Sequence, residues 1–236
     1  MKIKIIAQQD DFIIADKPAG LGFHDDENQP GFFNQVKSQL SINELYPVHR
    51  LDKMTSGLII LAKNKLTATE FQQHFEQRLI EKYYIAISDK KPVKKQGTIK
   101  GDMKKSRRGT WKLVRRYDNP AISQFFSYPL KQGKRLFLVK PYTGKTHQIR
   151  VALNSIGAPI IGDPNYYMTS NADRGYLHAF ALRFSINNIK YQYVLPPLIG
   201  KEYTSAETIA VVDTLIEPWK LAWPKLNNRA HSTTSN

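Results

Sequence analysis

The 236-residue chain contains no cysteine, and this absence excludes disulfides, thiolate metal sites and cysteine nucleophiles. A chain without cysteine fits a reducing compartment, although it does not require one. No stretch of the sequence approaches the roughly 18 apolar residues of a membrane span. Residues 1–12 also lack the long apolar core and the cleavage site of a signal peptide. We therefore expect a cytoplasmic protein with no membrane segment.

Acidic residues are scarce, with 20 Asp and Glu against 35 Lys and Arg, and the resulting charge of +15 is typical of a protein that binds a polyanion such as nucleic acid. Most of the excess lies between Lys82 and Arg116, where 13 basic residues stand against two acidic ones. Such a cluster favours contact with a phosphate backbone. The plainer alternative is a solvated loop or hairpin face.

Short apolar strands outnumber helices along the chain. Strands are predicted at Ile3–Ile6, Phe12–Ala15, Leu58–Ala62, Tyr83–Ile87, Lys112–Val114, Gln124–Phe126, Arg135–Lys140, Tyr176–Ala179 and Lys190–Leu195. Helices are predicted at Phe32–Leu40, Leu66–Leu79, Gln148–Ile156 and Thr204–Leu215, with Thr67 and Thr146 as caps of the second and third. The pattern predicts one α+β domain, with a central mixed or antiparallel sheet flanked by helices and loops.

The most informative segment runs from Val48 to Ala62 and carries one carboxylate, Asp52, in a polar turn between two apolar runs. Functional residues concentrate in loops of this kind because a rigid scaffold holds them. Arg50 and Lys53 flank the carboxylate, and we expect them to favour its ionised form. An ionised carboxylate in a basic site is suited to nucleophilic attack or to proton abstraction.

A second segment, residues 141–151, turns at Gly144 and then enters a helix. Arg150 falls about one turn into this helix, from where its side chain can point back toward the turn. A buried arginine needs an acidic partner, and Asp52 is a natural candidate. The plainer alternative places Arg150 on the surface and makes His147 a structural residue.

Six short segments occur in the order and register of one known family. They are Ala15-Asp16-Lys17-Pro18-Ala19-Gly20-Leu21, His49-Arg50-Leu51-Asp52 with Thr55-Ser56-Gly57, Lys82-Tyr83-Tyr84-Ile85-Ala86, Thr143-Gly144-Lys145-Thr146-His147-Gln148-Ile149-Arg150, Pro159-Ile160-Ile161-Gly162-Asp163 and Leu177-His178-Ala179. On these segments the chain resembles the RluA family of RNA pseudouridine synthases from about Ile5 to Pro197. Six matches in register carry far more weight than any one of them.

The resemblance implies the pseudouridine synthase fold over residues 1–200, followed by a helical extension and frayed tail at 201–236. It also implies an isomerase, an intramolecular transferase, that converts uridine to pseudouridine in rRNA or tRNA. The uridine is flipped out of its stack, and its base is detached, rotated and rejoined through carbon 5, with no cofactor and no metal. The family's catalytic aspartate falls on Asp52, its active-site tyrosine on Tyr84 and its arginine on Arg150. Whether Asp52 attacks the ribose or removes a proton from it stays open.

Further residues are expected to bind the RNA. They are Arg50, Thr55, Lys145, His147 and Gln148 near the site, and Lys104, Lys105, Arg107 and Arg108 in a basic insertion at about 94–116. Lys145 stands where the family usually has arginine, so the charge is kept but a planar bidentate donor is lost. The chain resembles the short form that lacks the family's N-terminal RNA-binding module. We therefore expect the insertion to contribute recognition, and we expect a monomer.

Two other functions are open at this point. A non-catalytic RNA-binding or folding factor could keep the same scaffold, although it would not need the Asp52, Tyr84 and Arg150 set. A hydrolase could use Ser56 and His147, but Ser56 lacks the flanking pattern of a nucleophile elbow. The histidines are scattered and show no metal-ligand spacing, so no metal site is predicted.

Overall fold

The computed structural model describes residues 2–27 and 29–226, so the tail predicted to fray, Asn227–Asn236, lies outside the described residues. The strands are β1 (Lys4–Gln8), β2 (Phe12–Lys17), β3 (Tyr46–Pro47), β4 (Ser56–Ala62), β5 (Glu81–Ser88), β6 (Gln96–Lys105), β7 (Trp111–Val114), β8 (Ala121–Pro129), β9 (Arg135–Pro141), β10 (Leu177–Ile186) and β11 (Ile189–Val194). The helices are α1 (Phe32–Gln39), α2 (Lys65–Glu76), α3 (Gln148–Ser155) and α4 (Ala206–Asp213). In this part of the chain no helix is long and apolar enough to cross a membrane.

The strands form one 11-stranded sheet in the order β1-β2-β4-β10-β5-β9-β8-β6-β7, with β3 also paired to β4 and β11 to β10. Strands β4 and β10 pair in parallel, whereas the other pairs recorded among the described strands are antiparallel. The predicted α+β class with a mixed sheet is therefore confirmed. Strands β4 and β9 are buried along their whole length. The loop before β4 and the loop after β9 meet over the middle of the sheet.

Helices cover both faces of the sheet because strand side chains alternate between faces. On β4, Ile59 and Leu61 pack in the same cluster as Val36 of α1, whereas Ile60 packs in another cluster with Phe71 of α2. A third cluster joins α3 and α4 to β5 and β9. The apolar residues whose spacing predicts these helices and strands are thus the residues that are buried in the core.

Two predicted helix caps are wrong. Asn64 caps α2, because its side chain accepts the N–H of Thr67 at 2.8 Å, and Thr67 itself is buried inside the helix. Helix α3 begins after His147, not after Thr146, and His147 has φ +57° and offers no side-chain cap. A left-handed residue at this position reverses the chain between the loop after β9 and the helix.

The segment after residue 200 packs on the same core as the rest of the chain. Tyr203 and Leu215 are buried in the cluster that contains α3 and α4. The ring centroid of Trp223 lies 4.7 Å from that of Phe126 and 5.8 Å from that of Tyr83. The predicted helix at Thr204–Leu215 is present as α4, and residues of this segment contribute to the interior.

Gly57 allows the parallel pairing at the centre of the sheet. Its φ is +109°, and a Cβ at this position would lie 2.3 Å from the carbonyl oxygen of Ala179 on β10. Only glycine combines this backbone angle with so close an approach. The turn that carries Asp52 therefore leads directly into a strand that is packed tightly on β10.

We expect Gly57→Ala to destabilise the fold much more than Gly133→Ala. Gly133 also has a positive φ, +75°, but a Cβ there would meet nothing within 4 Å. Its substitution should cost about 1–2 kcal/mol of unfolding free energy from backbone strain, whereas steric overlap at Gly57 should add a further 1–3 kcal/mol, roughly. Urea denaturation of both variants measures the difference. Equal losses would contradict this role of Gly57.

Candidate active site

A cleft of about 350 Å³ opens over the middle of the sheet, within the size range of small-ligand sites. It is lined by eight of the residues predicted from the sequence, which are Arg50, Asp52, Thr55, Tyr84, Lys145, His147, Gln148 and Arg150. These side chains come from the loop before β4, from β5, from the loop after β9 and from α3. The structure therefore brings the predicted catalytic trio into one cleft.

Asp52 is held at the cleft by Arg150. One oxygen of its carboxylate, Oδ2, lies 3.1 Å from Nη1 of Arg150, so the predicted contact is present. Arg150 is only 3% exposed, and Nε and Nη2 of its guanidinium donate to both oxygens of Asp163 at 2.7 and 2.8 Å. Nη2 also donates to Asn165 at 2.5 Å. A buried guanidinium is tolerated only when paired in this way.

Asp163 is the residue that the sequence reasoning missed. It has no exposed surface and accepts the backbone N–H groups of Asn165 and Tyr166 at 2.9 and 3.1 Å, in addition to its bidentate contact with Arg150. These bonds fix the carboxylate, which fixes the plane of the guanidinium. The signal was available, since Asp163 ends one of the six matching segments and is the acid that a buried arginine requires.

The cations nearest to Asp52 in the sequence are not its partners. Thr55 donates its N–H to the Asp52 carbonyl at 3.0 Å in a tight turn. Lys53 is exposed and lies 3.5 Å from Asp26, and Arg50 is exposed at the cleft edge. The charge that contacts Asp52 therefore comes from Arg150, 98 residues away in the chain.

Lys17 supports the Asp52 loop from below. Its side chain has no exposed surface, and Nζ donates to the carbonyl oxygens of Pro18, Lys53 and Thr55 at 3.0, 3.3 and 2.8 Å. Burial lowers the pKa of Lys17 to about 7, and the charge of Asp52 opposes the shift. Three carbonyl acceptors match the three donors of an ammonium group. Lys17, in the predicted turn at Lys17-Pro18, thus holds the loop that carries Asp52 through hydrogen bonds to its backbone.

Tyr84 and Lys82 reach the cleft from the same face of β5. Burial raises the pKa of the Tyr84 hydroxyl, and the negative charge of Asp52 adds to the shift, so the phenol is protonated at neutral pH. Burial lowers the pKa of Lys82 to about 8. Its Nζ lies 5.2 Å from the ring centroid of Phe75. Lys82 is a cleft residue that the sequence reasoning did not place among the substrate contacts.

Gln148 holds the loop between β9 and α3. Its Nε2 donates to the carbonyl of Ile122 at 3.1 Å and lies 2.9 Å from Oγ of Ser123. Its Oε1 accepts the hydroxyl of Thr143 at 2.6 Å and the N–H of Lys145 at 3.1 Å. Gln148 is buried and its amide is engaged at both ends, so its geometry is that of a support, and its contact with substrate stays a prediction.

His147 stands between Asp52 and Tyr166. Its Nε2 lies 4.0 Å from Oδ2 of Asp52, and its Nδ1 lies 3.1 Å from the Tyr166 hydroxyl. Burial and the charge of Arg150 hold the pKa of His147 below its ordinary value, although Asp52 opposes them. The imidazole is therefore neutral at pH 7.

The basic insertion forms a hairpin of β6 and β7 beside the cleft, and we call β6, β7 and the turn between them the basic hairpin. Lys104, Lys105, Arg107 and Arg108 are exposed on it and do not line the cleft. The hairpin adjoins the cleft because the first N–H of β7, that of Trp111, donates to the Tyr166 hydroxyl at 2.8 Å. The structure thus separates the predicted RNA contacts into a cleft group and a hairpin group.

The hydrolase alternative is wrong on geometry. Ser56 is buried on β4, where its Oγ lies 2.8 Å from Nδ1 of His178 and accepts from Arg174 at 2.5 Å. His147 is paired with Tyr166 instead. A serine nucleophile needs its base within hydrogen-bond reach, whereas the structure pairs Ser56 with His178 and places it outside the cleft that holds His147, so the predicted Ser56–His147 pair does not form.

Two other histidines, His49 and His178, form hydrogen bonds with backbone groups. Nε2 of His49 accepts the N–H of Ile60 at 2.9 Å, so its hydrogen is on Nδ1. Nε2 of His178 lies 2.8 Å from the carbonyl of Leu195, so its hydrogen is on Nε2. Burial lowers the pKa of His49 to about 3 and that of His178 to about 4, which keeps both rings neutral. Across residues 2–27 and 29–226, no three His, Asp or Glu side chains gather to hold a metal ion.

Comparison with known proteins agrees with this geometry. The family model described as "RNA pseudouridylate synthase" matches residues 11–155 of the chain. The chain belongs to the RNA pseudouridine synthase family. The matched region includes Asp52, Tyr84 and Arg150, whereas Asp163 lies beyond it. The resemblance to the RluA family is thereby confirmed, and the family is one of isomerases that act on RNA.

Relatives of this synthase differ in length. An uncharacterized RNA pseudouridine synthase of Haemophilus influenzae is 48% identical over 83% of this chain and 88% of its own. A ribosomal large subunit pseudouridine synthase C of Rickettsia bellii is 35% identical over 69% of this chain, but this match spans only 56% of the relative's length. Two human proteins, RNA pseudouridylate synthase domain containing 1 and 4, superpose with TM-scores of 0.69 and 0.67 over 83% and 90% of this chain, and over 83% and 92% of their own chains. They are 24% and 23% identical, so this likeness concerns the fold.

We expect Asp163→Asn in the synthase to lower the unfolding free energy by about 3 kcal/mol, because it leaves the buried charge of Arg150 undercompensated. Asp118→Asn is the matched control, since Asp118 also pairs with an arginine, Arg116, but both side chains are more than half exposed. An exposed pair should contribute less than about 1 kcal/mol. Urea denaturation checks both values, and similar losses would show that the buried pair has no special weight.

Proposed function

We propose that this protein is an RNA pseudouridine synthase in which Asp52 is the catalytic carboxylate. The observation that carries the proposal is the position of Asp52, fixed by buried Arg150 at the floor of a cleft that also holds Tyr84. We further propose large-subunit rRNA as the substrate, because relatives that match this chain are named for the ribosomal large subunit. The enzyme would act in the cytoplasm as a monomer.

The cleft is suited to one extruded nucleotide. A base inside an RNA stack must be flipped out at a cost of a few kcal/mol, and the ring of Tyr84 offers a stacking partner worth roughly 1–3 kcal/mol. Lys82, Lys145 and Arg50 line the same cleft and supply positive charge for the flanking phosphates. These contacts offset the cost of extrusion.

The chemical step begins from the Asp52 carboxylate. Arg150 holds one of its oxygens, which leaves the other free to attack the ribose or to remove a proton from it while the glycosidic bond breaks. When the base is rejoined through carbon 5, that carbon must lose its proton and N1 of the base must gain one. The protonated Tyr84 hydroxyl can donate its proton to N1, and the tyrosinate so formed can accept the proton from carbon 5, which restores the phenol. Both routes need the same ionised carboxylate, so both predict the same effect of removing it.

Asp52→Asn should abolish pseudouridine formation while the protein stays folded and binds RNA. Loss of a positioned acid–base or nucleophilic group typically lowers the rate by about 10²–10⁴-fold, and the amide keeps the size of the side chain. Asp213→Asn, on the exposed face of α4, is the control. Pseudouridine mapping in cells with the wild-type gene, a deletion or Asp52→Asn is the measurement.

A site present with the wild type and lost in the other two strains would establish the reaction, the carboxylate and the substrate together. A site retained by Asp52→Asn would overturn the assignment of Asp52. Full complementation of the deletion phenotype by Asp52→Asn would instead favour the non-catalytic RNA-binding factor. Purified protein on total RNA from the deletion strain separates loss of activity from redundancy in the cell.

The basic hairpin should contribute to RNA affinity by neutralising phosphates. Replacing Lys104, Lys105, Arg107 and Arg108 with glutamine should weaken binding and flatten the plot of log affinity against log salt, by roughly 0.7 for each single-strand phosphate that is no longer neutralised. The control replaces four exposed lysines outside the hairpin and the cleft, which are Lys2, Lys65, Lys190 and Lys201. A slope that changes equally in both variants would mean that only net charge matters.

A further inference from the structure

Tyr166 contacts the catalytic site and the basic hairpin at the same time. The Cζ of Arg150 lies 5.1 Å from its ring centroid, and its backbone N–H donates to Asp163. Its hydroxyl accepts the N–H of Trp111 at 2.8 Å and lies 3.1 Å from Nδ1 of His147. The ring of Tyr166 therefore contacts the site through Arg150, and its hydroxyl contacts both the site, through His147, and the basic hairpin, through Trp111.

The hydrogen bonds of this hydroxyl determine which nitrogen of His147 carries the hydrogen. A tyrosine hydroxyl has one hydrogen to donate and lone pairs to accept. The Trp111 amide occupies a lone pair, and within the described residues the acceptor recorded for the hydroxyl hydrogen is Nδ1 of His147. Since the ring is neutral, its own hydrogen lies on Nε2, which is the nitrogen that faces Asp52 at 4.0 Å.

The backbone of His147 is held in an unusual conformation at the same place. Its φ of +57° is left-handed, which costs roughly 1–2 kcal/mol for a residue with a Cβ. Strain of this kind persists when the surrounding structure imposes it, and it clusters at functional sites. This conformation directs the imidazole between Asp52 and Tyr166. The loop that precedes His147 is held by Gln148, which accepts hydrogen bonds from Thr143 and Lys145.

We propose that Tyr166 is a positioning residue that orients His147, so that the Nε2–H of His147 is presented to Asp52 and the reacting uridine, and that joins this donor to the basic hairpin. The catalytic part of this inference rests on the proposed function. A separation of 4.0 Å is too long for a hydrogen bond, but catalytic contacts often tighten only when substrate is bound. A donor placed there can steady the carboxylate or a substrate oxygen during the reaction.

The orientation of His147 can be measured without any substrate. Two-bond ¹⁵N–¹H spectra of ¹⁵N-histidine-labelled protein distinguish the two tautomers, and His49 and His178 supply internal references for the Nδ1–H and Nε2–H forms. We expect His147, assigned with His147→Ala, to be the Nε2–H form in the wild type and in Tyr167→Phe, and to become a mixture in Tyr166→Phe. An Nδ1–H form in the wild type, or no change in Tyr166→Phe, would overturn the proposal.

Kinetics test the catalytic consequence on an RNA that the wild type modifies. Tyr166→Phe keeps the ring beside Arg150 and removes only the hydroxyl. Tyr167→Phe is the matched control, because its hydroxyl donates to Asp89 at 3.1 Å away from the cleft. We expect Tyr166→Phe to lower the single-turnover rate at saturating RNA by about tenfold or more, since small misplacements of catalytic groups have effects of this size. The Trp111 N–H loses its acceptor in this variant, so thermal stability should fall modestly, and saturating RNA keeps any weaker binding out of the measured rate.

The double variant separates a positioning role from a direct one. In a His147→Ala background, Tyr166→Phe should cause no further loss, because the hydroxyl acts through the imidazole. A full additional loss, a weaker RNA affinity with an unchanged rate, or a rate equal to that of Tyr167→Phe would each overturn the proposal. If the wild type modifies no RNA, the proposed function fails, and the spectra alone still decide how Tyr166 and His147 are arranged.

Discussion

The buried charge of Arg150 is the constraint on which the site depends. A guanidinium inside a protein must find acceptors for its donors, and here Asp163, Asn165 and Asp52 provide them. Asp52 lies 98 residues before Arg150 and Asp163 lies 13 residues after it, so one charge on α3 holds together the loop before β4 and the loop after α3. The orientation of the Asp52 carboxylate is therefore a consequence of neutralising a buried cation, and the proposed chemistry uses a contact that the packing already requires.

The centre of the sheet and the basic hairpin differ in burial and in position. The centre of the sheet is rigid, since β4 is buried throughout and is seated on β10 at Gly57, and the loops that carry the site leave from this region. The hairpin lies at the far end of the sheet and exposes its cations to solvent. Tyr166 is the point at which the two meet. The predicted catalytic residues and the predicted RNA-binding cations of the hairpin thus occupy different parts of one domain.

Local patterns in the sequence predicted nine of the eleven strands, the four helices and the pairing of Asp52 with Arg150, because apolar periodicity and motif order are properties of short segments. The two strands that were not predicted are β3 and β6. Partners across the fold were harder to predict. Arg50 and Lys53 stand beside Asp52 in the chain, but Lys53 pairs with Asp26 and Arg50 is exposed at the edge of the cleft. Asp163 and Tyr166 are brought in by a loop whose path no periodicity describes. The caps of α2 and α3 also depended on the exact exit of the preceding chain.

The strand order places β1 and β7 at the two ends of the sheet, and an end strand offers unpaired backbone groups to any second chain. Lys112 on β7, Arg115 and Arg116 just after it, and Lys4 on β1 are exposed along these ends. A second copy that paired there would bring like charges together, and the Trp111 amide is already taken by a side chain. The exposed positive charge at these two strands therefore disfavours edge-to-edge pairing with a second copy of the chain.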